Sequence, residues 1–171
     1  SGRTIDLDNP EATNNFRDLI HGIHAAGKRE TPYTFVRNFR NNGSLYDFSG
    51  LRFPGILNDC ETCHLEGTYE IPLSRDLLPT TNITTDGVNA DPASVVAARA
   101  TSPNSTDIVT SPTASSCGMC HDGIYAQAHM ALNGGAIEWT REAYEAQTPV
   151  EACSTCHGPG RLVDVVDVHD F

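Results

Sequence analysis

Three copies of one five-residue pattern, Cys-x-x-Cys-His, use every cysteine in the chain. They are Cys60-Glu61-Thr62-Cys63-His64, Cys117-Gly118-Met119-Cys120-His121 and Cys153-Ser154-Thr155-Cys156-His157. This is the attachment pattern of c-type haem. Two thiols one helical turn apart add to the two porphyrin vinyl groups, and the next residue, a histidine, sits under the iron as proximal ligand. A redox-active cysteine pair, structural zinc or disulfides would also use paired cysteines. None of them requires a histidine directly after every second cysteine. The pattern therefore predicts three covalently bound haem c groups with their iron. Cys60, Cys63, Cys117, Cys120, Cys153 and Cys156 are the thioether positions, and His64, His121 and His157 the proximal ligands.

Each iron has a second axial position. Of seven histidines, four remain outside the motifs: His21, His24, His129 and His169. Three irons need three of them, so one is surplus. Met119 lies between two attachment cysteines and is badly placed to reach over a haem. Met130 adjoins His129 and stays a competitor. Bis-histidine ligation is the favoured reading, and it predicts low potentials, because Met/His ligation raises them. Which distal histidine serves which haem is left open by the sequence.

A chain of 171 residues is enough for one domain, here a single trihaem unit over 1–171. A hydrophobic fraction of 39% is lean, and 14 Gly with 10 Pro predict many turns. Haem groups would be the staple that such a chain needs. The net charge of −11, with Lys28 the only lysine, argues against nucleic acid and against an anionic membrane surface. No run of eighteen apolar residues is present, so no transmembrane segment is predicted. The sequence opens on Ser1-Gly2, which reads as a processed or internal end, and shows no signal peptide.

Asn9-Pro10 reads as a helix start, with Phe16, Leu19, Ile20 and Ile23 at helical spacing and Gly27 as the stop. His21 and His24 then share one helix, three residues apart. Residues 33–39 and 45–53 read as a short hairpin around the turn Asn41-Asn42-Gly43-Ser44. The first motif follows Phe53-Pro54-Gly55 on a short helix. Residues 65–90 and 101–116 read as loops, separated by a helix from Asp91-Pro92 to about Ala100. Further helices are expected at 124–132, carrying His129, and at 140–146. Thr148-Pro149 is expected to open the helix of the third motif, and Gly158-Pro159-Gly160 to end it. The predicted fold is a multihaem cytochrome c: short α-helices and long loops wrapped around a haem cluster, with little β beyond one hairpin.

Leu19-Ile20-His21-Gly22-Ile23-His24, Phe53-Pro54-Gly55, Asn58-Asp59-Cys60-Glu61-Thr62-Cys63-His64, Cys120-His121-Asp122 and Cys156-His157-Gly158-Pro159-Gly160 occur in this order across nearly the whole chain. Together they resemble the OmcA/MtrC family of bacterial outer-surface multihaem cytochromes. The resemblance implies decahaem proteins at the outer face of the outer membrane, passing respiratory electrons to extracellular metal oxides or flavins. It also implies pentahaem domains joined by split β-barrels. This chain has three motifs and resembles the later part of such a domain. The surplus histidine then suggests a piece of a larger cytochrome, or a subunit that lends a ligand to its neighbour.

The expected function is electron transfer through three bis-histidine c-type haems in extracellular or anaerobic respiration. Expected partners are redox proteins or other haem subunits, metal oxides and flavins, with a homo-oligomer or filament open. The expected location is extracytoplasmic, at the cell surface or beyond it, with the periplasm as alternative. Two other readings are a subunit of a haem-lined conducting filament and a multihaem reductase with one open iron. The second conflicts with a surplus of ligands and with the absence of a Cys-x-x-Cys-Lys motif.

Overall fold

The structure, a computed structural model, describes residues 13–39, 42–74, 76–88 and 91–169. Helix α1 (Phe16–Ala25) is capped by Asn15, whose side chain accepts from the Arg17 amide. The described helix thus starts later than the sequence suggested, and Asn9-Pro10 lie outside the described residues. Gly27 follows the helix end because its backbone runs against the Leu51 carbonyl, where a Cβ would collide.

A hairpin, β1 (Thr34–Phe39) with β2 (Asn42–Asp47), pairs antiparallel with Phe35 opposite Tyr46. Asn41 of the expected turn lies outside the described residues. Tyr33, Phe35 and Ala26 form a buried cluster, and Leu19, Ile23, Tyr46, Phe48 and Met119 pack against it. The Tyr33 and Phe35 rings meet edge-to-face at 5.6 Å. Gly22 lies against the Tyr33 ring, with room for no Cβ. Leu19 and Ile23 therefore bind α1 to the hairpin, whereas Phe16 of the same apolar row is exposed.

The two segments expected to be loops contain two of the three strands of a second sheet. Strands β3 (Thr80–Ile83), β4 (Ile108–Thr110) and β5 (Trp139–Thr140) lie in the order β3-β4-β5, both pairs antiparallel. Strands of two to four residues are too short to show an alternating pattern. Buried Asp107 organises the loop before β4. It accepts from the amides of Thr85 and Asn104 and from the Ser102 hydroxyl. Between β3 and β4, α2 (Pro92–Thr101) starts as expected, with a capping box of Asp91 and Ser94.

Helix α3 (Pro112–Gly118) also lies mostly within a segment whose sequence suggests a loop. Its Ser- and Thr-rich sequence is a poor helix former, and the compensation comes from far along the chain. The Glu151 carboxylate accepts from the Thr113 and Ala114 amides and the Ser111 hydroxyl, capping the helix start. Helices α4 (Ile124–Leu132) and α5 (Arg141–Gln147) occur where expected. Thr148 ends α5 in the left-handed region, so Thr148-Pro149 closes one helix and does not open the next. Helix α6 (Ser154–His157) is a single turn ended by Gly158, and α7 (Val165–His169) follows. Among the described residues the fold is short helices and loops with little β, the strands lying in two small open sheets.

Candidate haem-binding site

All three motifs fold into the same turn. The His64 amide donates to the Cys60 carbonyl at 2.8 Å, His121 to Cys117 at 2.8 Å and His157 to Cys153 at 2.9 Å. The second cysteine amide of each motif donates to the first cysteine carbonyl at 3.1 to 3.2 Å. The turn carries both thiols and the histidine on one side, as attachment to one ring requires. In each motif the first cysteine is half-buried and the second exposed, and no disulfide joins any of the six.

Each motif histidine has one non-motif histidine beside it. The ring centres of His21 and His64 are 6.0 Å apart, those of His121 and His169 6.0 Å, and those of His129 and His157 6.0 Å. An imidazole nitrogen binds a transition-metal ion at about 2.0–2.1 Å and lies about 1 Å from its ring centre, so two rings on opposite sides of one ion have centres about 6 Å apart. The donor set and its spacing therefore fit haem iron held between two histidines. The later pairs are exchanged along the chain. His129, which follows the second motif, lies beside the histidine of the third. His169, which follows the third, lies beside that of the second.

The surrounding residues fix these rings. Nδ1 of His157 is 3.0 Å from the Val163 carbonyl and Nδ1 of His169 is 2.8 Å from that of Val165. A proton on each Nδ1 leaves Nε2 as the free electron pair. Asp164 holds the segment between them, accepting from the amides of Gly160 and Val166. Around the second motif, Arg29 donates to the Gly118 and Met119 carbonyls at 3.1 and 2.6 Å and pairs with buried Asp122 at 3.4 Å. Asp122 also accepts from the amides of Glu30 and Thr31. Asp18 on α1 accepts from Ser115 on α3 and pairs with Arg17. Sequence reading missed Asp18, Asp122, Glu151 and Asp164 as supports. Ser111-Pro112 was a readable start of α3, but the distant carboxylate was not.

A family model described as outer membrane cytochrome MtrC/MtrF-like, domains II/IV, matches residues 2–170. The chain belongs to this family. No curated protein and no solved structure matches it at a significant level. Membership in the MtrC/MtrF-like cytochromes carries a general electron-transfer role.

In this MtrC/MtrF-like domain both methionines are packed away. Met119 joins the hairpin cluster, and Met130 is buried on α4, beneath Gly118. Burial lowers the His21 and His121 pKa values, helped by the charges that His64 and His169 would carry, so both rings favour the neutral, ligating form. Burial raises the Cys117 thiol to about 11, and its neighbours there include Cys153. Cys120, also raised by burial, has Cys60 among its electrostatic neighbours. A cysteine of each of the other two motifs is thus near enough to the second motif to act on it electrostatically. Among the described residues, no helix is long and apolar enough to cross a membrane.

Proposed function

We propose that residues 1–171 act as one trihaem electron-transfer unit. In it, His21 with His64, His121 with His169, and His129 with His157 are the axial ligands of three irons. The observation that carries the reading is the three-fold match of motif histidine to non-motif histidine at one spacing, 6.0 Å. When bound, haem supplies one-electron exchange between ferric and ferrous iron. The chain's residues do the rest. Six cysteines would hold the rings covalently, and six histidines would ligate the irons and keep the potentials low. The carbonyls of Val163 and Val165 orient two of those rings.

The order of the relay follows from how the motifs are tied. Asn58, two residues before Cys60, donates to the His169 carbonyl at 3.4 Å, joining the first motif to a ligand of the second. His129, paired with the third motif, rides on α4, which begins three residues after His121. The second haem position is therefore the middle of a first–second–third series.

With both axial positions filled, no iron is left for substrate, so the unit carries electrons and does not catalyse. Family membership and the chemistry of haem attachment support a place outside the cytoplasm, at the outer membrane surface. Other haem proteins or subunits, metal oxides and flavins are the fitting partners, and a net charge of −11 favours cationic ones. Reductive titration under carbon monoxide tests the reading. Uptake of three electrons per chain with no carbonyl adduct is expected. One adduct per chain would reveal an open iron and overturn it.

A further inference from the structure

Asp18, Asp122 and Glu151 each tie separate segments of the fold together, and the first two carry a cation. Asp18 pairs with Arg17 and Asp122 with Arg29. Glu151 is held differently. Its Oε1 accepts from the Ser111 hydroxyl at 2.7 Å and from the Ala114 amide at 2.7 Å, and its Oε2 from the Thr113 amide at 2.9 Å. All three groups donate to it, as an ionised carboxylate requires. A hydroxyl and two amides bring no net charge, so its own negative charge is left whole.

That charge is also fixed in place. The Ser111 amide donates to the Ala136 carbonyl at 2.8 Å, and its hydroxyl accepts from the Ala136 amide at 3.0 Å. The Ala152 amide donates to the Asn133 carbonyl at 2.9 Å, and Gly134 lies against Val150 and Glu151 with room for no Cβ. Residues 150–152 are thereby locked onto the end of α4. Ala114 lies three residues before Cys117, and Glu151 itself two residues before Cys153. One carboxylate therefore reaches the first cysteine of two motifs. Burial, then Cys153 and Glu151, push the Cys117 thiol up to about 11. Burial and then Glu151 raise that of Cys153. Cys60 is raised by burial and by its own neighbours, Asp59 and Glu61.

On the trihaem reading proposed above, the Cys117 and Cys153 sulphurs are thioether links, so the same charge acts on both rings. A negative charge beside a redox group favours the more positive, ferric state and lowers the potential. We infer that Glu151 lowers the potentials of the second and third haems together and leaves the first to other charges. Glu151 acts through its charge and ligates no iron. Because it acts on both, it opens no gap between them, and the electron step from one to the other is no steeper for its presence.

Glu151→Gln keeps an acceptor oxygen for the cap and removes the charge. In potentiometry of the haem-loaded chain, two of three waves should rise and the other should stay. Each moving equilibrium should shift at least about threefold toward the ferrous form, or about 30 mV at about 59 mV per tenfold for one electron. Glu151→Asp keeps the charge and shortens the reach to α3. It should lower the Tm of the loaded chain and leave all three waves in place. Should the Gln chain not load its haems, Glu151→Asp decides alone, since unmoved waves above a weakened cap are the mark of the charge. If Glu151→Gln moves no wave or all three alike, or if Glu151→Asp moves them as far as Glu151→Gln, the residue serves only as a helix cap. The inference then falls and the trihaem reading stands. Fewer than three haems in the wild-type chain would overturn that reading, and the inference with it.

Discussion

A histidine serves as an axial ligand when its ring is neutral and one nitrogen is held free. His157 and His169 meet the second condition through the Val163 and Val165 carbonyls, and burial favours the first at His21 and His121. Replacing His169 by methionine should raise the potential of one haem alone, by a fraction of the roughly 0.8 V that axial ligation spans. Potentiometry resolving three waves would show one moving and two staying. Asp122 carries a different kind of weight. Burial alone would raise its pKa, but the Glu30 and Thr31 amides and Arg29 more than offset this and hold it below the ordinary 3.8. A carboxyl depressed in the folded state adds stability that is complete above its unfolded pKa and lost as pH falls through the folded value. Asp122→Asn should therefore be less stable than wild type at neutral pH, by about 1–3 kcal/mol. The gap should close in acid below pH 3.8, as denaturant melts at both pH values would show.

Among elements, α1 has two tasks, carried by adjacent residues. Gly22 packs on Tyr33 while His21 stands beside His64. Gly22→Ala should push the helix off the hairpin at a cost of about 1–3 kcal/mol, measured as a lower Tm of the haem-loaded chain. Helix α3 depends on Glu151, so Glu151→Ala should cost about 1–2 kcal/mol by removing its cap, read by the same melt. These dependences explain what the sequence revealed. Helices with local signals were legible: Asp91-Pro92 opens α2, and α4 and α5 lie where their helical stretches were expected. The start of α1 was not, because the cap is Asn15 rather than the stronger-looking Asn9-Pro10. Helix α3 and the sheet β3-β4-β5 were not legible either. The helix is held by a carboxylate thirty-seven residues or more away along the chain, and the strands exist only through pairing.

In the whole molecule, the three Cys-x-x-Cys-His motifs proposed to hold haem were readable because their spacing lies along the chain. The partners of their histidines were not, because the fold exchanges the two later pairs. His129 and His169 each pass over the nearest motif to stand beside the other's histidine. This exchange ties the second and third motifs into one unit, and Asn58 ties the first to the second. The central claim is that these pairs satisfy every iron. The most direct measurement is an EPR spectrum of the oxidised protein with spins counted against haem content, for wild type and His21→Ala. The account predicts three low-spin irons per wild-type chain and one high-spin iron in the variant. A high-spin iron in every wild-type chain, or three low-spin irons in the variant, would contradict it.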